Sequence, residues 1–164
     1  MLTWLLGTDR DLVITIVRIA LGAVFFAHGA QKALGWFGGV GLQSTVRTFR
    51  EHLQIPAPLA VLSVAAEFLG GAGLIVGLLS RLAALGIAVI MIVALIAVHW
   101  KFGFFMNWYG DKQGHGIEYH ILVLALTVAI MIKGGGAFSL DQILYQHVSA
   151  QNGVALGAQT GRGK

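Results

Sequence analysis

The chain lacks cysteine and has few charged residues, and both shortages restrict what it can be. Its 164 residues include no cysteine, two prolines and only 11% charged side chains. Without a thiol the chain forms no disulfide and carries no thiolate nucleophile or cysteine-ligated cluster. Redox chemistry would therefore need a bound cofactor or a partner protein.

The charge that is present does not indicate nucleic-acid binding. The formal net charge is +4, but the basic residues are scattered singly and form no patch. Hydrophobic residues make up 57% of the chain, which is too apolar for the surface of a small water-soluble domain. We therefore expect an integral membrane protein with lipid around it and no nucleic-acid partner.

Four apolar stretches are long enough to cross a hydrocarbon core of about 30 Å, which takes about 20 helical residues. They are residues 12–34, 59–79, 82–100 and 117–133. Four spans put both termini on one side, here called face A, and the loops 35–58 and 101–116 on the other side, face B. The pattern predicts an all-α integral membrane four-helix bundle.

Two shorter helices are predicted outside the spans. Residues 42–53 are apolar at helical spacing and polar elsewhere, which predicts a short amphipathic interfacial helix between spans 1 and 2. Ser139 and Gln142 fit a capping box for a helix over 139–148. A single membrane domain would thus cover 1–148, and the polar residues 149–164 are predicted to form a flexible tail.

Glu67 is the first candidate functional residue, because helical rise places it about 13 Å below face B, near the membrane centre. A carboxylate at that depth costs about 2.5 to 3.5 kcal/mol, so it should face the bundle interior and have a partner or be protonated. His28 on the first span lies at a similar depth. Arg18 and Lys32, on the same span, either balance the charge of Glu67 or snorkel to the membrane edge.

Helix direction brings further ionisable groups to face B. His99 ends the third span there, while Glu118 and His120 begin the fourth. Glu118 and His120 differ by about 200° around the helix, so both cannot point inward. Such a cluster has three possible uses: a b-type haem, a metal ion, or a quinone or other small amphiphile. The haem is less favoured because His99 is close to the interface, and no tight His-x-x-x-His spacing supports a metal. A quinone-like ligand needs only a polar contact near an apolar cleft, so we rank it first.

Read in order, these polar residues form a pattern that resembles the DoxX family of small four-helix membrane proteins. The matching elements run over about residues 14 to 145 and comprise Arg18-x-x-x-Gly22, His28-Gly29-x-x-Lys32, Glu67 with Gly70-Gly71 and Gly77, Arg81, His99, Glu118-Tyr119 and Ser139-Leu140-Asp141. The resemblance implies a multi-pass protein of the inner (cytoplasmic) membrane, of the kind named for a subunit of thiosulfate:quinone oxidoreductase. It supplies no general catalytic assignment for the shared polar residues.

We therefore predict a membrane subunit of a quinone-linked oxidoreductase, acting with a soluble redox subunit or as a homo-oligomer. In this hypothesis Glu67 accepts a proton and His28 relays it. The predicted ligand-binding residues are Arg18, Lys32, His99, Glu118 and His120. Two alternatives stay open: a non-enzymatic membrane scaffold or assembly partner, and a small transporter.

Overall fold

The computed structural model describes residues 2–8 and 10–160, with side chains for 4–8 and 10–150, and this part is all-helical. Its α-helices are α1 Leu2–Leu6, α2 Leu12–Leu34, α3 Gly41–Leu53, α4 Ala57–Val76, α5 Ser80–Ala94, α6 Glu118–Lys133 and α7 Leu140–Thr160. A short 3₁₀ turn, Trp36–Gly38, follows α2. The helix of α5 continues through a π-helical turn, Leu95–His99, and a 3₁₀ turn, Trp100–Phe102.

Within the described residues, three helices are long and apolar enough to cross a membrane: Leu12–Leu34, Ala57–Val76 and Ser80–Phe102. The membrane character predicted from the sequence is thereby confirmed. The helix α6 has 16 residues, about 24 Å at the usual rise, so the fourth span stays a prediction. The second span ends earlier than predicted, at Val76, because Gly77 adopts the left-handed conformation with φ 72°.

The helices α2 and α4 approach each other closely because glycines lie between them. A Cβ on Gly29 would lie 2.5 Å from the backbone of Phe68. A Cβ on Gly71 would collide with the backbone nitrogen of Phe26 in the same way. Small residues of this kind let membrane helices pack backbone to backbone, and here they place Glu67 directly beside α2.

The apolar core lies where α2, α4, α5 and α6 meet. Its buried side chains are Leu21, Phe25, Leu74, Ala84, Ile87, Met91, Val123 and Ile130. The amphipathic helix predicted between the first two spans is present as α3, which packs against α2 and α4 with Thr45 buried. It therefore covers the face-B end of the α2–α4 contact.

The helix α7 begins as the sequence predicts. Ser139 Oγ accepts a hydrogen bond from Gln142 N at 3.2 Å, which satisfies a free N–H of the first turn. The helix runs to Thr160, so it is longer than the predicted 139–148. Residues 161–164 lie outside the described residues, and the flexibility predicted for the tail stays a prediction.

Candidate functional site

The buried carboxylate of Glu67 is paired with Lys32 across the α2–α4 contact. Lys32 Nζ donates to Glu67 Oε1 at 2.7 Å and to Oε2 at 2.6 Å. The Glu67 side chain is 4% exposed and that of Lys32 is 33% exposed. The lysine stem runs from the end of α2 down to the carboxylate, so its charge offsets the cost of burying Glu67.

The Lys32–Glu67 pair lies in the wall of a large cleft of about 1080 Å³. The lining comes from α2, α3, α4, α5, the loop that follows α5, and the start of α6. Most of it is apolar, and its polar side chains lie in the half nearer face B: His28, Lys32, Ser63, Glu67, His99, His115, Tyr119 and His120. The cleft thus has one polar end and a long apolar remainder.

The apolar part of the cleft follows the length of α5. Its lining on this helix begins at Leu82, near face A, and continues to His99 at face B, a distance of about 25 Å along the helix axis. Leu62 and Val89 in the walls are 64% and 53% exposed, so the cleft is open along α4 and α5. Because both helices are long enough to span the membrane, this opening faces the lipid.

The structure brings three of the predicted histidines into this cleft. His28 is exposed in its wall, and its side chain makes no hydrogen bond within the described residues. The rings of His99 and His120 are in contact, with their centroids 4.3 Å apart and their planes tilted by 44°. His99 Nδ1 donates to the carbonyl oxygen of His115 at 2.8 Å. The cleft therefore holds two polar clusters, the Lys32–Glu67 pair and the His99–His120 pair.

Arg18 does not reach the cleft. Its side chain is fully buried and lies near face A, where Nε donates to Gly135 O at 2.7 Å. The remaining donors contact the carbonyl oxygens of Leu74, Ile75 and Phe138. The ligand-binding role predicted for Arg18 has no geometric basis here, because the guanidinium bonds to backbone carbonyls of two segments, the end of α4 and the loop between α6 and α7.

Glu118 also lies outside the cleft lining. Its Oε1 accepts hydrogen bonds from Met106 N at 3.0 Å and from Trp108 Nε1 at 3.2 Å. The carboxylate thus holds the face-B loop rather than facing the ligand space, whereas His120, on the other side of α6, faces inward. This agrees with the angular separation predicted for Glu118 and His120.

Sequence reasoning missed several groups that shape the site. Tyr119 and the loop residues Met106 and His115 line the cleft, and of these three only Tyr119 belonged to a recognised pattern. Asp141 also belonged to that pattern, but its role was not predicted: it is 1% exposed, and its carboxylate accepts from Leu79 N at 2.6 Å and Ser80 N at 2.8 Å. It therefore caps α5 from α7, a contact between distant segments that no local spacing signals.

Metal binding finds no support in the geometry. No group of three or more His, Cys, Asp or Glu side chains in the described part of the chain is arranged to hold a metal ion. The polar groups of the cleft are instead hydrogen-bond donors and acceptors beside an apolar channel. That arrangement suits an amphiphile with a polar head.

Comparisons with known proteins agree with a membrane protein of this kind. The family model described as DoxX matches residues 13–100. A Bacillus subtilis (strain 168) protein named "Putative oxidoreductase CatD" is 25% identical over 131 residues, which is 80% of this chain and 86% of that protein. The Escherichia coli (strain K12) "Inner membrane protein YqjF" is 26% identical over 135 residues, 82% of this chain and 94% of that protein. No solved structure gives a significant match.

Proposed function

The chain belongs to the DoxX family, and on that premise we propose that it is a membrane subunit of an oxidoreductase that binds a quinone-like molecule in the cleft. The shape and polarity of the cleft carry this proposal. It is open to lipid along α4 and α5, apolar over most of its length, and polar at the end that holds Lys32 and Glu67. A quinone with an isoprenoid tail has the matching distribution of polar and apolar groups.

The polar end of the cleft offers both kinds of hydrogen bond that such a headgroup needs. Lys32 donates and is charged, so it favours a carbonyl oxygen or a developing negative charge. Glu67 accepts and suits a hydroxyl group, while His28, free of hydrogen bonds in the described structure, suits proton transfer toward face B. The apolar lining that continues along α5 toward Leu82, near face A, leaves room for the tail.

Electrons would have to come from another protein. A quinone takes up two electrons and two protons on reduction, and the chain has no cysteine to deliver electrons through a thiol. We therefore propose a soluble redox subunit at face B as the electron donor and this chain as the quinone-binding and proton-handling subunit. A relative named as an oxidoreductase supports this assignment.

Quinone binding is testable with the purified protein in lipid nanodiscs and decylubiquinone as the probe. We expect saturable quenching of tryptophan fluorescence with about one probe per chain. The double variant Lys32→Met/Glu67→Gln, which removes both charges together, should weaken binding at least 10-fold, since a charge-assisted contact is worth about 1.5 to 3 kcal/mol. The matched control Lys101→Met/Glu51→Gln changes the same residue types outside the cleft and should bind as the wild type does.

Two results would overturn the proposal. The first is quenching that rises linearly with the probe and never saturates, which indicates partitioning into lipid alone. The second is equal affinity in the cleft variant and its control. A folded cleft variant that assembles its native complex but has lost no turnover would favour the scaffold alternative.

The remaining assignments of this proposal concern the complex and its location. We propose the inner membrane, with both termini on one side and face B toward the cytoplasm, where a soluble donor is available. Mild purification from the native membrane should recover a soluble redox protein and a quinone by mass spectrometry. Recovery of the chain alone and empty argues against the oxidoreductase. If a reduced-minus-oxidised spectrum shows b-type bands, the ligand is haem and the quinone assignment is wrong.

A further inference from the structure

The helix that carries His99 has an unusual conformation at this residue. After Ala94 the regular α-helix gives way to a π-helical turn over Leu95–His99. Such turns are rare, and they occur often at functional sites, because the extra residue re-aims the side chains that follow it. One added residue rotates the next side chain by about 100°. Here the π-helical turn ends at His99, whose ring contacts that of His120 in the cleft wall.

The hydrogen bonds around His99 define what its ring presents to the cleft. Its Nδ1 lies 2.8 Å from the backbone oxygen of His115. A carbonyl oxygen only accepts, so Nδ1 must carry the proton, and in the neutral ring Nε2 is then an acceptor without a hydrogen. The described part of the chain provides no hydrogen bond to Nε2, which leaves it available to a ligand.

The ring of His120 carries its proton on the other nitrogen, Nε2, and so presents a donor. The residue is 4% exposed, and its Nδ1 is buried without a hydrogen-bond partner. A buried N–H without an acceptor is rarer in proteins than an under-used acceptor, so the proton belongs on Nε2. The His99–His120 pair thus offers one donor, from His120, and one acceptor, from His99, side by side in the same wall.

We propose that the His99–His120 pair is a second ligand subsite, so the molecule in the cleft carries two separate oxygen functions. This inference rests on the proposed function and specifies its ligand as a ring with oxygen at both ends, rather than a single-headed lipid. One oxygen lies at the Lys32–Glu67 pair and the other at the imidazoles. A carbonyl oxygen accepts from His120 and a hydroxyl donates to His99, so the same subsite binds the quinone and the hydroquinone.

The test compares two probes with the same tail in nanodiscs: 4-decylphenol, with one oxygen, and decylhydroquinone, with two. We expect the wild type to bind decylhydroquinone about 3- to 10-fold more tightly, the value of one hydrogen bond. The variant His99→Phe/His120→Phe keeps an aromatic ring at each position and should lose this preference. The control His52→Phe, on the exposed face of α3, should retain it.

The outcomes separate this inference from the proposed function. A preference that persists in His99→Phe/His120→Phe, or a wild type without any preference, overturns the second subsite while binding at Lys32 and Glu67 stands. If neither probe binds saturably, the proposed function itself is overturned. If the double variant is not monodisperse, the single variant His120→Phe makes the same comparison and should lower the preference.

Discussion

The two ends of the bundle use buried charge in different ways. Near face A, the buried side chains of Arg18 and Asp141 bond only to backbone groups in the described structure. Near face B, Lys32 and Glu67 bond to each other in the wall of an open cleft, where His28 and the Nε2 atom of His99 have no hydrogen bond within the described residues. A buried charge is therefore no sign of a ligand by itself. Unused hydrogen-bonding capacity beside an opening is the better sign.

The structural role of the face-A end predicts the largest effect. Arg18→Leu leaves the carbonyl oxygens of Leu74, Ile75, Gly135 and Phe138 without their donor. We expect the free energy of unfolding in mixed micelles to fall by about 4 kcal/mol. The exposed Arg10→Leu is the control and should change it by less than about 0.5 kcal/mol. Normal stability in Arg18→Leu would show that these hydrogen bonds do not stabilise the face-A end.

Charge removal at the face-B pair should have an asymmetric effect. Lys32→Met leaves a carboxylate that is 4% exposed without its cation, whereas Glu67→Gln leaves a lysine that is 33% exposed. The free energy of unfolding should fall by about 3 kcal/mol in Lys32→Met and by about 1 kcal/mol in Glu67→Gln, because the lysine left behind still reaches water.

The double variant Lys32→Met/Glu67→Gln sharpens this comparison. It should recover most of the stability that Lys32→Met loses, since neither charge is left unpaired. Its ligand binding should remain weak. A double variant that recovers both stability and binding would assign the pair to helix packing, as at face A.

Much of this architecture follows from the sequence, because helical rise and hydropathy are local properties. They place the first span at residues 12–34, as found, and they set Glu67 and His28 at similar depths. Helix direction also brings His99 and His120 to one end. The direction of the Arg18 side chain does not follow, since its carbonyl partners near residue 135 are positioned only by tertiary packing. The π-helical turn at Leu95–His99 has no signal in composition or spacing either.

Two adjacent glycines test how closely α2 and α4 must approach to form the site. A Cβ on Gly71 meets the backbone of Phe26 in a direct clash, whereas a Cβ on Gly70 meets Ile87 at 3.7 Å, an ordinary contact. Gly71→Ala should therefore lower the free energy of unfolding by about 2 kcal/mol. It should also weaken ligand binding, because it separates Lys32 from Glu67. Gly70→Ala should be neutral or slightly stabilising. Equal stability of the two variants would mean that the helices separate without penalty.

Substitution of Glu118 should have the smallest effect on stability. Glu118 lies at the face-B end, yet like the buried charges near face A it holds protein groups in place and does not line the cleft. Its carboxylate accepts from Met106 N and Trp108 Nε1 and is absent from the cleft wall. Glu118→Gln keeps an acceptor oxygen, so it should lower the free energy of unfolding by less than about 1 kcal/mol. It should leave the affinity for decylubiquinone unchanged within twofold. Glu67→Gln removes the same charge inside the cleft and should weaken that affinity. If both variants weaken binding alike, the ligand senses the overall charge of face B and does not contact Glu67 specifically.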